Sequence, residues 1–276
     1  MTTVSAEPDT AQNTERVTVE IEGPIAVVSL NRPDKLNALN FEIIHGLIAA
    51  ARKLKNNRQV RAVILVGEGK AFSSGLDFAS VGKQPLQILR GFLKWPWQDA
   101  NSFQEVSWAW RQLPQPVIAV LHGRCYGGGL QIALGADFRI ASPDCELSVM
   151  EARWGLIPDM SGSVTLQELV GLDTAKRLTM TGEVLSGSEA QSIGLVSEVN
   201  EFPLGRAHEL ADQLAQRSPD AVTASKRLLN QNRHQTPRKA FKLERALQLE
   251  LLRGANHKIA RAAGKAKETP NFRDRA

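Results

Sequence analysis

The feature that most constrains this chain is a set of short, mainly apolar runs, Ile25 to Leu30, Val60 to Val66 and Val117 to Leu121. Runs of this length bounded by turn residues read as strands buried in the interior. Val17 to Ile21 alternates in polarity, and Gly23-Pro24 turns it into the first of these runs. Asp137 to Ala141 gives one more short strand. Between them, Asn31-Arg32-Pro33-Asp34-Lys35 is turn chemistry. Asn40 then caps a helical segment whose apolar residues Ile43, Ile44, Leu47, Ile48 and Ala51 lie close to a 3.6 period. Short buried strands alternating with amphipathic helices predict an α/β fold.

The pattern changes after about Pro203. Arg206 to Gln216, Pro219 to Asn230, Pro237 to Arg253 and His257 to Lys267 read as helices with no strand among them, and Ser218-Pro219 and Thr236-Pro237 separate the first three. The expected organisation is a polar disordered tail over residues 1–16, a strand-bearing core over 17–203 and a helical C-terminal region over 204–276. The segment Gln84 to Trp110 holds four of the five tryptophans, interrupted by Pro96. It is expected to form helices with a kink, with the indoles in the core or at a subunit contact.

Several function classes drop out. Cys125 and Cys145 have no CxxC partner, which excludes a disulfide framework and a cysteine-based zinc site and suits a reducing cytoplasm. The five histidines include no HExxH. No stretch approaches the ~18 consecutive apolar residues that would span a bilayer, and no apolar signal segment opens the chain. The expectation is a cytoplasmic protein that does not enter a membrane. The formal charge of +5 would attract anionic partners such as phosphorylated cofactors, but no Lys/Arg run is long enough for a dedicated nucleic-acid patch.

Two glycine-centred segments carry the chemistry. Ala71-Phe72-Ser73-Ser74-Gly75-Leu76-Asp77 follows the Val60–Val66 strand, and His122 to Gln131, with Gly127-Gly128-Gly129, runs from a strand into a helix. Glycine lets a ligand approach main-chain N–H groups, and a helix start presents N–H groups without partners. Either segment alone reads as an ordinary tight turn. Neither completes a GxGxxG, a Walker A or a GxSxG elbow. Their joint occurrence after two strands points to a ligand.

In order, Asn31-Arg32-Pro33 with Asn37-Ala38-Leu39, Ala71 to Asp77, Gly127-Gly128-Gly129, Ala136-Asp137-Phe138-Arg139-Ile140-Ala141, Glu151, Gly155-Leu156-Ile157-Pro158, Thr181-Gly182-Glu183 and Ala190…Gly194-Leu195-Val196 resemble the crotonase (enoyl-CoA hydratase/isomerase) superfamily from about residue 17 to 200. The resemblance implies a crotonase-like α/β spiral of ββα units, a helical C-terminal trimerisation region and a homotrimer or dimer of trimers. It also implies a coenzyme A thioester as substrate, with no further cofactor and no metal. The N–H groups of Leu76 and Gly128 would form an oxyanion hole. Lys35, Ala38, Ser74 and Asp77 would line the CoA side of the site; Lys70 and Lys267 are weaker candidates that read rather as solvated surface lysines.

The acid/base residues depart from the hydratase pattern. Hydratases of the superfamily carry one glutamate just after the triple glycine and another twenty residues on; here Glu151 keeps the second, and Gln131 stands at the first. An amide can orient a water but cannot exchange a proton with it. Asp159 matches a position where dienoyl-CoA isomerases of the superfamily carry an acid, and reads alternatively as a helix N-cap. Packing among Trp154, Ile157 and Met160 is expected to raise a carboxyl pKa. His122 reads as a structural histidine. The expected activity is an enoyl-CoA or dienoyl-CoA isomerase using Glu151 with Asp159. A hydratase with Glu151 and water-holding Gln131 stands as the alternative, and a non-catalytic acyl-CoA-binding or RNA-binding relative as a further one.

Overall fold

The computed structural model of the protein describes residues 15–276; residues 1–14 of the polar tail lie outside the described residues. β1 (Val17–Glu22) and β2 (Ile25–Leu30) form a hairpin, with Gly23 at φ +56° in the turn. α1 (Phe41–Asn56) follows, its first turn capped by Asn40, which accepts the Ile43 N–H at 3.0 Å. Then come β3 (Ala62–Gly67), α2 (Phe78–Val81), α3 (Pro85–Phe92), α4 (Ser102–Gln112), β4 (Val117–Leu121), β5 (Arg124–Tyr126) and α5 (Gly128–Leu134). β6 (Phe138–Ala141), β7 (Glu146–Ser148), α6 (Gly162–Leu169), α7 (Leu172–Thr181), α8 (Gly187–Ser192) and β8 (Glu198–Val199) complete the strand-bearing part. α9 (Pro203–Ala215), α10 (Pro219–Asn232), α11 (Pro237–Arg253) and α12 (Ala255–Ala266) finish the chain.

The main sheet has the order β1-β2-β3-β4-β6-β8, antiparallel at its first pair and parallel thereafter. Its central strands are buried on both faces. Ala62, Ile64, Val66, Ile118 and Val120 meet Ala207 and Ala211 of α9, while Val63, Leu65, Val117, Ala119 and Leu121 join the larger core with α1, α4 and α5. Burial on both faces is why these strands read as apolar runs rather than as alternation. α9, which falls in the helical C-terminal stretch by sequence, thus covers the second face of the sheet.

One expectation changes in part. Gln84 to Trp110 holds helices α3 and α4, but they are separated by a full break rather than a kink: Leu93 is extended (ψ 142°), and α4 restarts under a reciprocal capping box between Asn101 and Gln104, which leaves Pro96 in the connection. Trp110 is fully buried, but Trp95 and Trp97 are exposed and stack on each other at 5.2 Å. A second sheet of β5 and β7, three residues each, is too short to announce itself in the sequence, and it builds the site.

α10 is pinned to this core by one buried cation. Lys226 Nζ donates to Asp137 Oδ2 at 2.6 Å, Gln115 O at 2.9 Å and Trp110 O at 3.1 Å. Lys226→Met would leave the Asp137 carboxylate and two carbonyls short of a donor. It is expected to lower stability by about 2–3 kcal/mol, at the low end for a broken buried pair because Asp137 keeps some solvent contact. Urea unfolding with an unchanged m-value measures this; a loss below about 0.5 kcal/mol would remove the pin from the account.

Candidate active site

Four chain segments lie side by side. Ser73 bridges to Cys125, with Ser73 N–H donating to Arg124 O and Tyr126 N–H to Ser73 O. β5 pairs in parallel with β7, placing Tyr126 opposite Ser148, and Gly127 N–H extends the ladder to Ser148 O at 2.9 Å. On the other side Leu39 bridges to Leu76. The ladder therefore carries both glycine segments, the Asn31–Asn40 loop and the strand leading to Glu151 to one place.

The glycines are required by contact. A Cβ on Gly129 would lie 2.6 Å from Ser73 Cβ, and one on Gly75, at φ +92°, would lie 3.0 Å from Tyr126 O and 3.9 Å from Gly127 Cα. A Cβ on Gly127 would come within 3.3 Å of Glu151 Oε1. Leu39 N–H donates to Gly75 O and Asp77 N–H to Leu39 O, so the Leu76 N–H between them is turned the other way. Gly128 is the first residue of α5, where N–H groups have no intrahelical acceptor. Neither N–H donates to any group among the described residues. Met160 roofs this spot, since a Cβ on Gly128 would strike its sulfur at 2.6 Å.

Glu151 opens a 3-10 turn (Glu151–Trp154) just after β7. Gln131, fully buried on α5, donates from Nε2 to Glu151 Oε1 at 2.5 Å, and its own oxygen accepts from Met160 N–H at 2.8 Å and Gly162 N–H at 3.1 Å. Glu151 Oε2 is buried and accepts no hydrogen bond. Burial pushes the Glu151 carboxyl above its ordinary range. Its own backbone N–H and the Gln131 amide pull it back, and the nearby Asp159 charge pushes it up further. Burial likewise raises Asp159. The shielding differs from expectation: Met160 is buried, but Trp154 is 63% exposed and Ile157 74% exposed. Trp154 instead packs on Phe78 at 5.2 Å, between the two segments at the rim. Asp159 does not cap α6, whose N-cap is Ser161 in the left-handed conformation (φ +63°).

The residues expected on the CoA side share the Asn31–Asn40 loop and the first glycine segment. Lys35 is exposed at the end of a 3-10 turn, Ser74 N–H donates to Leu36 O, and Ser74 Oγ reaches Lys35 O at 3.4 Å. The Asp77 carboxylate is occupied: Arg32 binds Oδ2 at 2.7 Å while Oδ1 caps α2 through Ser80 N–H, and the same Arg32 nitrogen holds Ala38 O. His122 bonds Gly69 O. Lys70 is exposed. Lys267 ends α12, and no hydrogen bond or ion pair among the described residues joins it to the glycine segments.

Sequence reasoning placed Asn37 in a motif but gave it no role. Buried and at φ +53°, it donates to Glu68 O and Ala71 O and accepts from Arg32 N–H, while its carbonyl accepts Ser73 Oγ–H. It welds the loop to the first glycine segment. Its signal was an Asn two residues beyond a Pro-Asp-Lys turn, a position that tolerates a left-handed backbone.

Comparison with known proteins decides the family. The family model described as Enoyl-CoA hydratase/isomerase matches residues 20–275. The chain is 35% identical over 217 residues to the short-chain-enoyl-CoA hydratase of Clostridium acetobutylicum, covering 78% of this chain and 80% of that one. It is 33% identical over 213 residues to the peroxisomal Delta(3,5)-Delta(2,4)-dienoyl-CoA isomerase of Arabidopsis thaliana, covering 74% and 76%. The crystal structure of an enoyl-CoA hydratase from Bacillus anthracis superposes with a TM-score of 0.85 at 27% identity, over 93% of this chain and 98% of that one.

The chain belongs to the enoyl-CoA hydratase/isomerase family. It has the crotonase fold and is an enzyme of this family, whose members here include both hydratases and isomerases. No helix among the described residues is long and apolar enough to cross a membrane.

The steric fit of this family site can be tested directly. Gly129→Ala drives a methyl into Ser73 and is expected to destabilise the fold by about 1–3 kcal/mol. Urea denaturation checks the value, and an unchanged midpoint would show that the two glycine segments are not in close contact.

Proposed function

We propose that the enzyme shifts a double bond in an enoyl-CoA or dienoyl-CoA thioester, with Glu151 as acid/base. The observation that carries this reading is Glu151 itself: a half-buried carboxylate with one oxygen held and the other free, beside the unpaired N–H groups of two glycine segments. Proton abstraction next to the thioester carbonyl sends the electron pair to its oxygen. Leu76 N–H and Gly128 N–H stabilise that enolate, and each such donor is worth roughly 3–4 kcal/mol. The electron pair then reforms the carbonyl, the double bond moves toward it, and a proton is returned at the far end of the conjugated system. A base whose pKa is raised toward neutrality suits both halves of the transfer.

Asp159, close enough for its charge to act on Glu151 and itself raised by burial, is the second carboxyl and serves a proton position farther along the acyl chain. The reading uses protein groups alone and calls for no cofactor beyond the CoA thioester that is the substrate. Lys35 and Ser74 flank its nucleotide end. The hydratase alternative draws support from the Clostridium relative's name. Against it, the Gln131 oxygen already takes two backbone N–H bonds and one Nε2–H is taken by Glu151, which leaves the amide no acceptor and a single donor for a water. The proposed trimer needs a contact on the helical C-terminal region, and Phe241, Leu249 and Leu252, exposed on α11, offer one.

Turnover of 3-enoyl-CoA, 3,5-dienoyl-CoA and trans-2-enoyl-CoA, measured side by side, tests this. Isomerisation should exceed hydration. Glu151→Gln should lower kcat by at least about 1000-fold with CoA-ester binding retained, and Asp159→Asn should slow the diene more than the monoene. Fast hydration that persists in Gln131→Ala would overturn the isomerase reading, and an active Glu151→Gln would overturn the site.

A further inference from the structure

We infer that Gln131 is a positioning residue that gives the two oxygens of Glu151 different tasks, fixing Oε1 as a hydrogen-bond acceptor and leaving Oε2 as the atom that carries the proton. The inference rests on the reading of Glu151 as the acid/base and deepens it. It replaces the water-holding role that the sequence suggested for this amide.

The chemistry of its surroundings allows the Gln131 amide only one orientation. Met160 N–H and Gly162 N–H, on either side of Ser161, both point at a single oxygen. The left-handed Ser161 between them (φ +63°) makes this a small nest of backbone donors, a concavity that accepts an oxygen and repels an N–H. Flipping the amide would press its NH2 against those two donors and its oxygen against a carboxylate. Nε2 must therefore face Glu151, and it does so at 2.5 Å. The nest leaves no slack: a Cβ on Gly162 would lie 2.6 Å from the Gln131 oxygen and 2.9 Å from its Cγ.

The nest is itself held from behind. Ser161 Oγ donates to Ser107 Oγ at 2.9 Å, and Ser107 Oγ donates to the Gln131 backbone carbonyl at 2.6 Å. Both ends of the glutamine are thereby fastened to one turn. Glu151 Oε1, bound to this rigid amide and resting against Gly127, cannot rotate freely, so Oε2 is confined to one buried direction without a partner. An oxygen held without a hydrogen bond is the more basic of the two and the better placed to take a proton from carbon.

The electrostatic surroundings make the idea measurable. Among the groups around Glu151, Asp159 on the Met160 turn adds negative charge, α5 contributes no ionisable group, and Arg153 on the same 3-10 turn lies against Gly182. The Gln131 bond favours ionised Glu151. Its removal must raise the Glu151 pKa and shift the acidic limb of the kcat/KM profile to higher pH.

The test compares Gln131→Leu with Gly162→Ala, which displaces the amide without removing it. For each, the pH profile of kcat/KM is recorded on whichever CoA ester the wild type turns over fastest. The carboxyl band that Glu151→Gln removes is titrated by infrared difference spectroscopy. Both variants should shift the acidic limb and the band upward together, with kcat at the alkaline plateau lowered about tenfold and KM changed less than about twofold. Equal loss at every pH, with limb and band unmoved in the variant that folds, would make Gln131 merely structural and overturn the inference while leaving Glu151 in place. An active Glu151→Gln would instead bring down the underlying reading.

Discussion

Everything in this site depends on how closely two backbone segments approach. Gly129 rests on Ser73, and Gly75 rests on the carbonyl of Tyr126, at separations where a single methyl would overlap heavy atoms. Closeness of that kind is held mainly by backbone pairing. It comes from the three-residue pairing of β5 with β7, from the Ser73–Cys125 bridge and from the buried Asn37 that ties the loop to the first segment. In the proposed reaction the consequence is chemical: two main-chain N–H groups without partners among the described residues would be held by a scaffold that need not rearrange as charge develops beside them.

The carboxylates show the opposite economy. Glu151 and Asp159 are both pushed up by burial, and the Asp159 charge raises Glu151 further, an arrangement that costs stability and that proteins keep mainly at functional sites. A single amide hydrogen bond moderates it. Gln131 lowers the Glu151 pKa without contributing an ionisable group of its own, so the centre holds one carboxyl on that side rather than a proton-sharing pair.

Much of this was legible beforehand. The strands Val117–Leu121 and Ile25–Leu30, the Asn40 cap and helix Pro237–Arg253 follow from apolar runs and capping chemistry that act locally. The glycine segments, Glu151 and the family stood out through their order along the chain. What stayed hidden depends on contacts between distant residues. β5 and β7 are too short to show a period, and Asn37 looks like any turn residue until Glu68 O and Ala71 O are brought to it. Asp77, expected on the CoA side, is recruited by Arg32 from across the loop. Trp154 and Ile157 were expected to shield the carboxylates because they neighbour them in sequence, yet both are exposed, Trp154 at the end of the 3-10 turn and Ile157 beyond it.

A crystal structure with a non-reactive acyl-CoA bound would examine the enolate clamp most directly. The thioester oxygen should sit within about 2.7–3.1 Å of both Leu76 N and Gly128 N, with Glu151 Oε2 rather than Oε1 facing the carbon beside the carbonyl. A thioester oxygen that reaches only one of those N–H groups, or that points to solvent while the acyl carbon lies beyond reach of Glu151, would contradict the account.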